Sequence, residues 1–152
     1  MSLHIREGTR PIFHPAYSVP LRLKGTIVEC LDKMVHEGIL ERVTESDWAS
    51  PMVSVRKPDN TYRLCIDPSK TVNPVLTNVF YPLPKIDSLL AEVAGHQFYA
   101  KLDLAKAYQQ FEIHTDSREL LVVNTVKGLF RYCRLPFGIK TAASIFQREV
   151  DG

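Results

Sequence analysis

Two β-hairpin signals constrain the fold of this chain more than any other feature of its sequence. Strand-like runs over residues 52–66 flank a Pro-Asp-Asn turn at 58–60, and runs over 120–135 flank a Lys-Gly turn at 127–128. These residue types favour the tight turns that join neighbouring antiparallel strands. The chain is therefore expected to contain antiparallel strand pairs.

Three other stretches have the apolar spacing and the boundary residues of helices. Residues 24–37 place apolar side chains on one face, and Gly38 follows as a stop signal. Residues 84–94 begin with proline and end before Gly95, and residues 141–150 have a third helical pattern. Helices that are segregated from antiparallel hairpins predict an α+β fold.

Composition restricts the class of protein. The chain has 152 residues, of which 45% are hydrophobic and 24% are charged, as expected for one globular domain. Its sequence contains no apolar run of membrane-spanning length and no secretory signal, so we expect an intracellular protein, cytoplasmic or nuclear, without a membrane partner. Three cysteines and five histidines form no zinc pattern, and a net charge of +2 is compatible with a nucleic-acid partner.

One acidic residue needs an explanation. Residues 97–103 alternate like a β-strand, and Asp103 lies on the polar side at its end. A carboxylate there is explained by a salt bridge, by backbone donors at a helix cap or by a metal ion. The cations near the first hairpin turn (Arg56, Lys57 and Arg63) likewise allow two interpretations, a phosphate grip or a solvated basic hairpin.

Three segments in register resemble one family. "WASPMVSVRKPDNTYRLCID", "YPLPKIDSLLAEVAGHQFYAKLDLAKAYQQFEI" and "LFRYCRLPFGIKTAASIFQ" occur in this order. Together they resemble the reverse transcriptases of long-terminal-repeat retrotransposons of the Ty3/gypsy type and, more distantly, those of retroviruses. The resemblance extends from Lys24 to Val150.

The resemblance implies a polymerase right hand, truncated to the fingers and the first part of the palm. Residues 1–23 would then be an extended N-terminal arm, 24–96 a fingers-like region and 97–152 a partial palm. The implied activity is that of an RNA-directed DNA polymerase, a nucleotidyltransferase. It adds dNTPs to a primer on an RNA or DNA template by two-metal phosphoryl transfer.

By the same resemblance, Asp103 matches the family's first catalytic aspartate, which binds Mg²⁺, and the backbone carbonyl of Leu104 matches a second contact to the metal. Mg²⁺ prefers hard oxygen ligands, which agrees with a carboxylate and a carbonyl at this position.

The implied nucleotide site combines cations, aromatic rings and a turn. Lys57 and Arg63 match residues that hold the triphosphate. Tyr108 matches the residue under the incoming sugar that discriminates against a 2′-hydroxyl. Phe137 and Gly138, in the "LPFG" turn, match positions that pack near the nucleotide.

Further along the chain, Gln147 matches a residue near the template strand. The family usually has proline where Ala143 stands. The connection after the first hairpin also departs from the family pattern, so no role is carried onto Ser69 or Asn73.

The family's Tyr-x-Asp-Asp turn, which supplies the other metal-binding aspartates, does not occur in this sequence. We therefore expect weak or absent Mg²⁺ binding, no polymerisation by these residues alone and a marginal fold. A further polypeptide that completes the palm would then be a partner. Whether the chain itself is an enzyme stays open, because a non-catalytic nucleic-acid-binding module and a non-functional relic are the alternatives.

Overall fold

The computed structural model describes residues 1–152 and contains three α-helices and one five-stranded sheet. The helices are α1 (Leu21–His36), α2 (Ile86–Val93) and α3 (Ala142–Asp151). The strands are β1 (Leu40–Val43), β2 (Ser50–Arg56), β3 (Tyr62–Ile66), β4 (Val122–Thr125) and β5 (Gly128–Tyr132). Short 3₁₀ turns cover Asn73–Val75, Ala107–Gln110 and Thr115–Leu121. The predicted α+β class is confirmed.

The sheet has the strand order β1-β5-β4-β2-β3. Both predicted hairpins form: β2 pairs with β3 from Met52 opposite Ile66, and β4 pairs with β5 around the turn before Gly128. The two hairpins join through a short parallel pairing of β2 with β4, which places Ser50 opposite Val123. Parallel neighbours need a long connection. The connection from β2 to β4 is long because it contains β3 and the more than fifty residues that separate β3 from β4.

Helix α1 covers one part of this sheet and packs against β1 and β3. Ile27 and Leu31, one helical turn apart, are its buried residues. It begins at Leu21, directly after Pro20, and therefore earlier than its apolar pattern predicted. No helix of the structure, including this longest one of 16 residues, has the length and hydropathy of a membrane span.

The N-terminal segment is extended and packs onto the body of the molecule. Leu3 is buried in the core, Ile5 forms a β-bridge with Leu76, and Phe13 forms one with Ala49. In the sheet, β4 and β5 lie between β1 and β2. Strands that precede residue 97 in the sequence and strands that follow it therefore belong to one sheet. The division into a fingers-like region and a partial palm stays a prediction.

The predicted strand over residues 97–103 is wrong. This segment has no helix or strand, and Phe98 and Leu102 are 91% and 94% exposed. Alternation of apolar and polar residues is not sufficient for a strand, because a strand also needs a neighbour that satisfies its backbone N–H and C=O groups. None of the five strands, and no isolated β-bridge, pairs with this segment. The preceding helix α2 forms where it was predicted, and none of its residues is buried.

Candidate functional site

The first hairpin presents two cations next to a tightly bonded turn. The turn closes through a hydrogen bond from the Lys57 N–H to the Thr61 carbonyl at 2.7 Å. Asp59 Oδ1 accepts from the Thr61 hydroxyl at 2.6 Å and from its N–H at 3.0 Å, and these bonds lower the pKa of the Asp59 carboxyl. Arg63 lies on β3, opposite Val55. The exposed side chain of Lys57 is thereby placed at a fixed turn, and that of Arg63 lies on the strand that follows it.

A groove of about 810 Å³ runs between this hairpin, α1 and the turn that contains Phe137. Lys57, Arg63 and Phe137 all line it. The structure therefore brings together three residues that lie up to eighty positions apart in sequence. Lys33 and Lys106 add positive charge to the same groove, and acidic side chains line it as well: Glu29, Glu37 and Asp59.

An aromatic cluster supports the Phe137 side of the groove. The Tyr108 ring, on the 3₁₀ turn Ala107–Gln110, lies 4.8 Å from the Phe137 ring and 5.2 Å from the Phe146 ring, measured between centroids. The Arg63 guanidinium lies 5.9 Å from the centroid of the Phe137 ring, within the range of a cation–π contact. Tyr108 does not itself line the groove, but it holds the ring that does.

The turn that contains Phe137 requires glycine at its next position. Gly138 has φ +96°, and a side-chain Cβ there would lie 3.3 Å from the Ile66 carbonyl oxygen. The amide of Asn73 bonds to two positions of the second half of this turn: its Nδ2 donates to the Gly138 carbonyl, and its Oδ1 accepts from the Lys140 N–H, each at 2.8 Å. Sequence reasoning missed Asn73, because its two bonds join positions more than sixty residues apart.

Asp103 and Leu104 lie outside the groove. Both are exposed, and neither is among the residues that line it. Asp103 joins no ion pair; Lys106, three residues on, pairs with Glu37 at 3.3 Å instead. The salt-bridge explanation for Asp103 is therefore wrong, while its assignment as a metal ligand stays a prediction.

The structure contains no cluster of three or more His, Cys, Asp or Glu side chains that could hold a metal ion. Asp103 is thus a single exposed carboxylate, and a single protein ligand binds Mg²⁺ weakly. The residues of this chain do not by themselves fit a two-ion centre.

Gln147 lies on α3, half-buried, with its Nε2 donating to Asp151 Oδ1 at 2.8 Å. Asp151 also accepts from the Tyr81 hydroxyl at 2.8 Å. The predicted template contact of Gln147 would have to compete with this local hydrogen bond.

Sequence reasoning also missed Lys106 and Gln109, which line the groove and the depression beside it. The Oε1 atom of Gln109 is buried without a hydrogen-bond partner. The sequence contains one signal for both residues, since they flank Tyr108 within the "KLDLAKAYQQ" motif.

Comparison with known proteins identifies the family. The family described as "Reverse transcriptase (RNA-dependent DNA polymerase)" matches residues 55–152, more than half of the chain. The chain belongs to the reverse transcriptase family. Among relatives of this reverse transcriptase chain are the retrovirus-related Pol polyproteins from transposons opus and 297 of Drosophila melanogaster. Each is 31% identical, over 97% and 95% of the chain.

The Tf2-3 transposon polyprotein of Schizosaccharomyces pombe is 30% identical over 89% of the chain. These relatives confirm the identification with retrotransposon reverse transcriptases of the Ty3/gypsy type. The chain spans 15% of the opus polyprotein, 14% of the 297 polyprotein and 10% of Tf2-3.

Solved structures confirm the predicted fold. The prototype foamy virus protease-reverse transcriptase is 22% identical, with a TM-score of 0.81 over 94% of this reverse transcriptase chain and 19% of that protein. A foamy viral protease-reverse transcriptase in complex with double-stranded DNA also has a TM-score of 0.81, at 21% identity, over 96% of this chain and 25% of that one. A third structure, of the foamy viral enzyme with an RNA/DNA hybrid, has a TM-score of 0.76 at 20% identity, over 94% of this chain and 19% of that one.

Proposed function

We propose that this chain is the nucleotide-binding part of an RNA-directed DNA polymerase. The longer polypeptide to which it belongs would add dNTPs to a primer on an RNA or DNA template. The observation that carries the proposal is the groove in which Lys57, Arg63 and Phe137 meet. The two cations neutralise the triphosphate, and Arg63 has the planar donor set that suits phosphate oxygens. Phe137 forms the apolar wall of the groove, and Gly138, in the same turn, is proposed to pack near the nucleotide.

Tyr108 is proposed to act from beneath this wall. Its ring packs against Phe137 and Phe146, so its position is set by the aromatic cluster rather than by solvent. Tyr108 does not line the groove, so it would discriminate against a 2′-hydroxyl by steric exclusion where the sugar extends past Phe137. Gln147 is proposed to lie near the template strand.

Asp103 and the Leu104 carbonyl are proposed as ligands of a divalent ion in the longer polypeptide, where such an ion would neutralise developing charge on the phosphates. Because these residues alone do not fit a two-ion centre, we expect no primer extension by the 152-residue chain. Magnesium-dependent extension by the purified chain, lost on Asp103→Asn, would contradict this.

Nucleic-acid partners are part of the proposal. The foamy viral protease-reverse transcriptase has been solved with double-stranded DNA and with an RNA/DNA hybrid, and the similar fold supports a template-primer as the partner here. The net charge of +2 alone would give only weak electrostatic attraction.

Binding of dTTP to the purified chain tests the proposed nucleotide site, with Arg63→Gln as the test variant. Arg56→Gln is the matched control, because it removes the same charge from the same hairpin. Arg56 bonds to Asn60 at 2.7 Å and does not line the groove. We expect Arg63→Gln to weaken dTTP binding about tenfold or more, as for a lost charged hydrogen bond, and Arg56→Gln to weaken it about twofold at most.

Equal losses in both variants would instead indicate non-specific attraction to a basic hairpin. An absence of dTTP binding by the unmodified chain would overturn the proposal for this part of the polymerase.

A further inference from the structure

We propose that Asn73 is a positioning residue that sets the Phe137 ring in the nucleotide groove. The inference rests on the proposed function, because it gives Asn73 a part in forming the same site. Asn73 lies in the connection that follows the first hairpin and does not line the groove. It acts on the groove through the backbone of the turn between Leu135 and Lys140.

The side-chain amide of Asn73 acts on this turn both as a hydrogen-bond donor and as an acceptor. The Nδ2 group donates to the Gly138 carbonyl and the Oδ1 atom accepts from the Lys140 N–H, each at 2.8 Å. A donor and an acceptor held side by side match a carbonyl and an N–H two residues apart. Among side chains of this length only asparagine offers both at once.

Asn73 can hold the turn because its own backbone is fixed. Its N–H donates to the Pro68 carbonyl at 3.0 Å, and the preceding residue, Val72, is completely buried. The following Pro74 has a restricted φ within the 3₁₀ turn Asn73–Val75. The amide is therefore presented from a rigid support.

The turn needs such support on its outer side. Leu135 and Ile139 are buried and anchor it to the core, but Phe137 and Gly138 between them are exposed. Gly138 has φ +96°, in a region that glycine enters easily and also leaves easily. The Asn73 bond to the Gly138 carbonyl restricts this freedom, which places the Phe137 ring against Tyr108 and Arg63.

The test replaces Asn73 with alanine and compares it with Asn78→Ala. Asn78 is the matched control, because it is exposed, lies five residues further along the same connection and does not line the groove. Three quantities are measured in each full-length variant: protection of the Lys140 amide against hydrogen exchange, nuclear Overhauser contacts between the Phe137 and Tyr108 rings, and affinity for dTTP.

We expect Asn73→Ala to lose the Lys140 protection and the ring contacts, and to bind dTTP about threefold to tenfold more weakly. Asn78→Ala should retain all three properties. Ring contacts that persist in Asn73→Ala would overturn the inference even if affinity fell, because a purely structural role would then explain the loss.

The ring contacts also separate this inference from the proposed function. If the unmodified chain does not bind dTTP, the proposed function fails, while the ring contacts still report whether Asn73 positions Phe137. If Asn73→Ala does not fold, Asn73→Asp takes its place. This variant retains an acceptor for the Lys140 N–H and loses the donor to Gly138. We expect Asn73→Asp to protect the Lys140 amide and still to lose the ring contacts, and retained contacts would again overturn the inference.

Discussion

At the scale of single residues, one hydrogen bond ties the N-terminal segment to the end of β3. The Tyr17 hydroxyl donates to Asp67 Oδ2 at 2.7 Å, while Ser69 donates to Oδ1 through its hydroxyl at 2.6 Å and its N–H at 3.2 Å. Both side-chain bonds lower the pKa of the Asp67 carboxyl, and the bond from the Ser69 hydroxyl has a larger effect than the bond from Tyr17. The carboxylate in turn raises the pKa of the Tyr17 phenol.

We expect Tyr17→Phe to raise the Asp67 pKa towards its ordinary value of about 3.9. Because the folded-state pKa of Asp67 is lowered, the stability gained from the bond is present above the ordinary carboxyl pKa and shrinks as pH falls through the folded-state value. Because the Tyr17 pKa is raised, the same contribution is complete below about pH 10 and is lost as pH rises through the folded-state value.

Carboxyl titration by nuclear magnetic resonance measures the shift, and Tyr62→Phe serves as its control, since Tyr62 lies on β3 and is not bonded to the Asp67 carboxylate. An identical Asp67 pKa in the two variants would show that Tyr17 does not act on this carboxyl.

At the scale of secondary-structure elements, two glycines occupy different backbone conformations, one at positive φ and one inside a helix. Gly128 begins β5 with φ +107°, and a Cβ there would lie 3.7 Å from Arg42 Nη2, so only its backbone conformation requires glycine. Gly25 lies inside α1, and a Cβ there would meet nothing within 4 Å. Steric space is available at both positions, which isolates the backbone effect.

Alanine at the two positions should therefore have opposite effects. We expect Gly128→Ala to lower the free energy of unfolding by about 1–2 kcal/mol, since an L-residue is strained at positive φ. Gly25→Ala should raise it by about 0.5–1 kcal/mol, since alanine favours the helix interior. Urea denaturation followed by circular dichroism measures both. Stabilisation by Gly128→Ala would contradict the conformation of the second hairpin.

At the scale of the whole molecule, the chain divides into a packed sheet and a long exposed connection. A cluster of 20 buried residues joins α1, the sheet and α3. Every residue from 82 to 106, by contrast, is exposed. Helix α2 within this stretch leaves Ile86 74% and Leu90 59% exposed. The expectation of a marginal, partner-dependent fold stays a prediction, and these exposed apolar side chains are the feature that bears on it.

Native-state hydrogen exchange should distinguish the two parts. An eight-residue helix in which no residue is buried is marginal in water, so we expect the amides of α2 to open at a free-energy cost near zero, about that of a frayed terminus. Amides around Ile27 and Leu31 in α1, which serve as the internal reference, should require opening of the packed core. Comparable protection of the two helices would mean that α2 docks onto the body in solution.

Local patterns predicted most of the elements. Turn residues located both hairpins, and helical spacing with proline and glycine boundaries located α1, α2 and α3 within a few residues. The quoted motifs identified the family. The candidate groove was less accessible to this reasoning: Lys57, Arg63 and Phe137 were named, but the amide of Asn73 and the unpartnered Gln109 oxygen were not.

The sequence by itself determined the hairpin turns, the helix boundaries and the apolar faces of the helices. The physical causes of these features act between residues that are neighbours along the chain. Tertiary structure alone decided that β2 lies parallel to β4, that residues 97–103 have no strand partner, and that Asn73 bonds across 65 positions to Gly138. Backbone pairing and side-chain bonds over such distances depend on which segments the folded path brings together, and no local pattern contains that information.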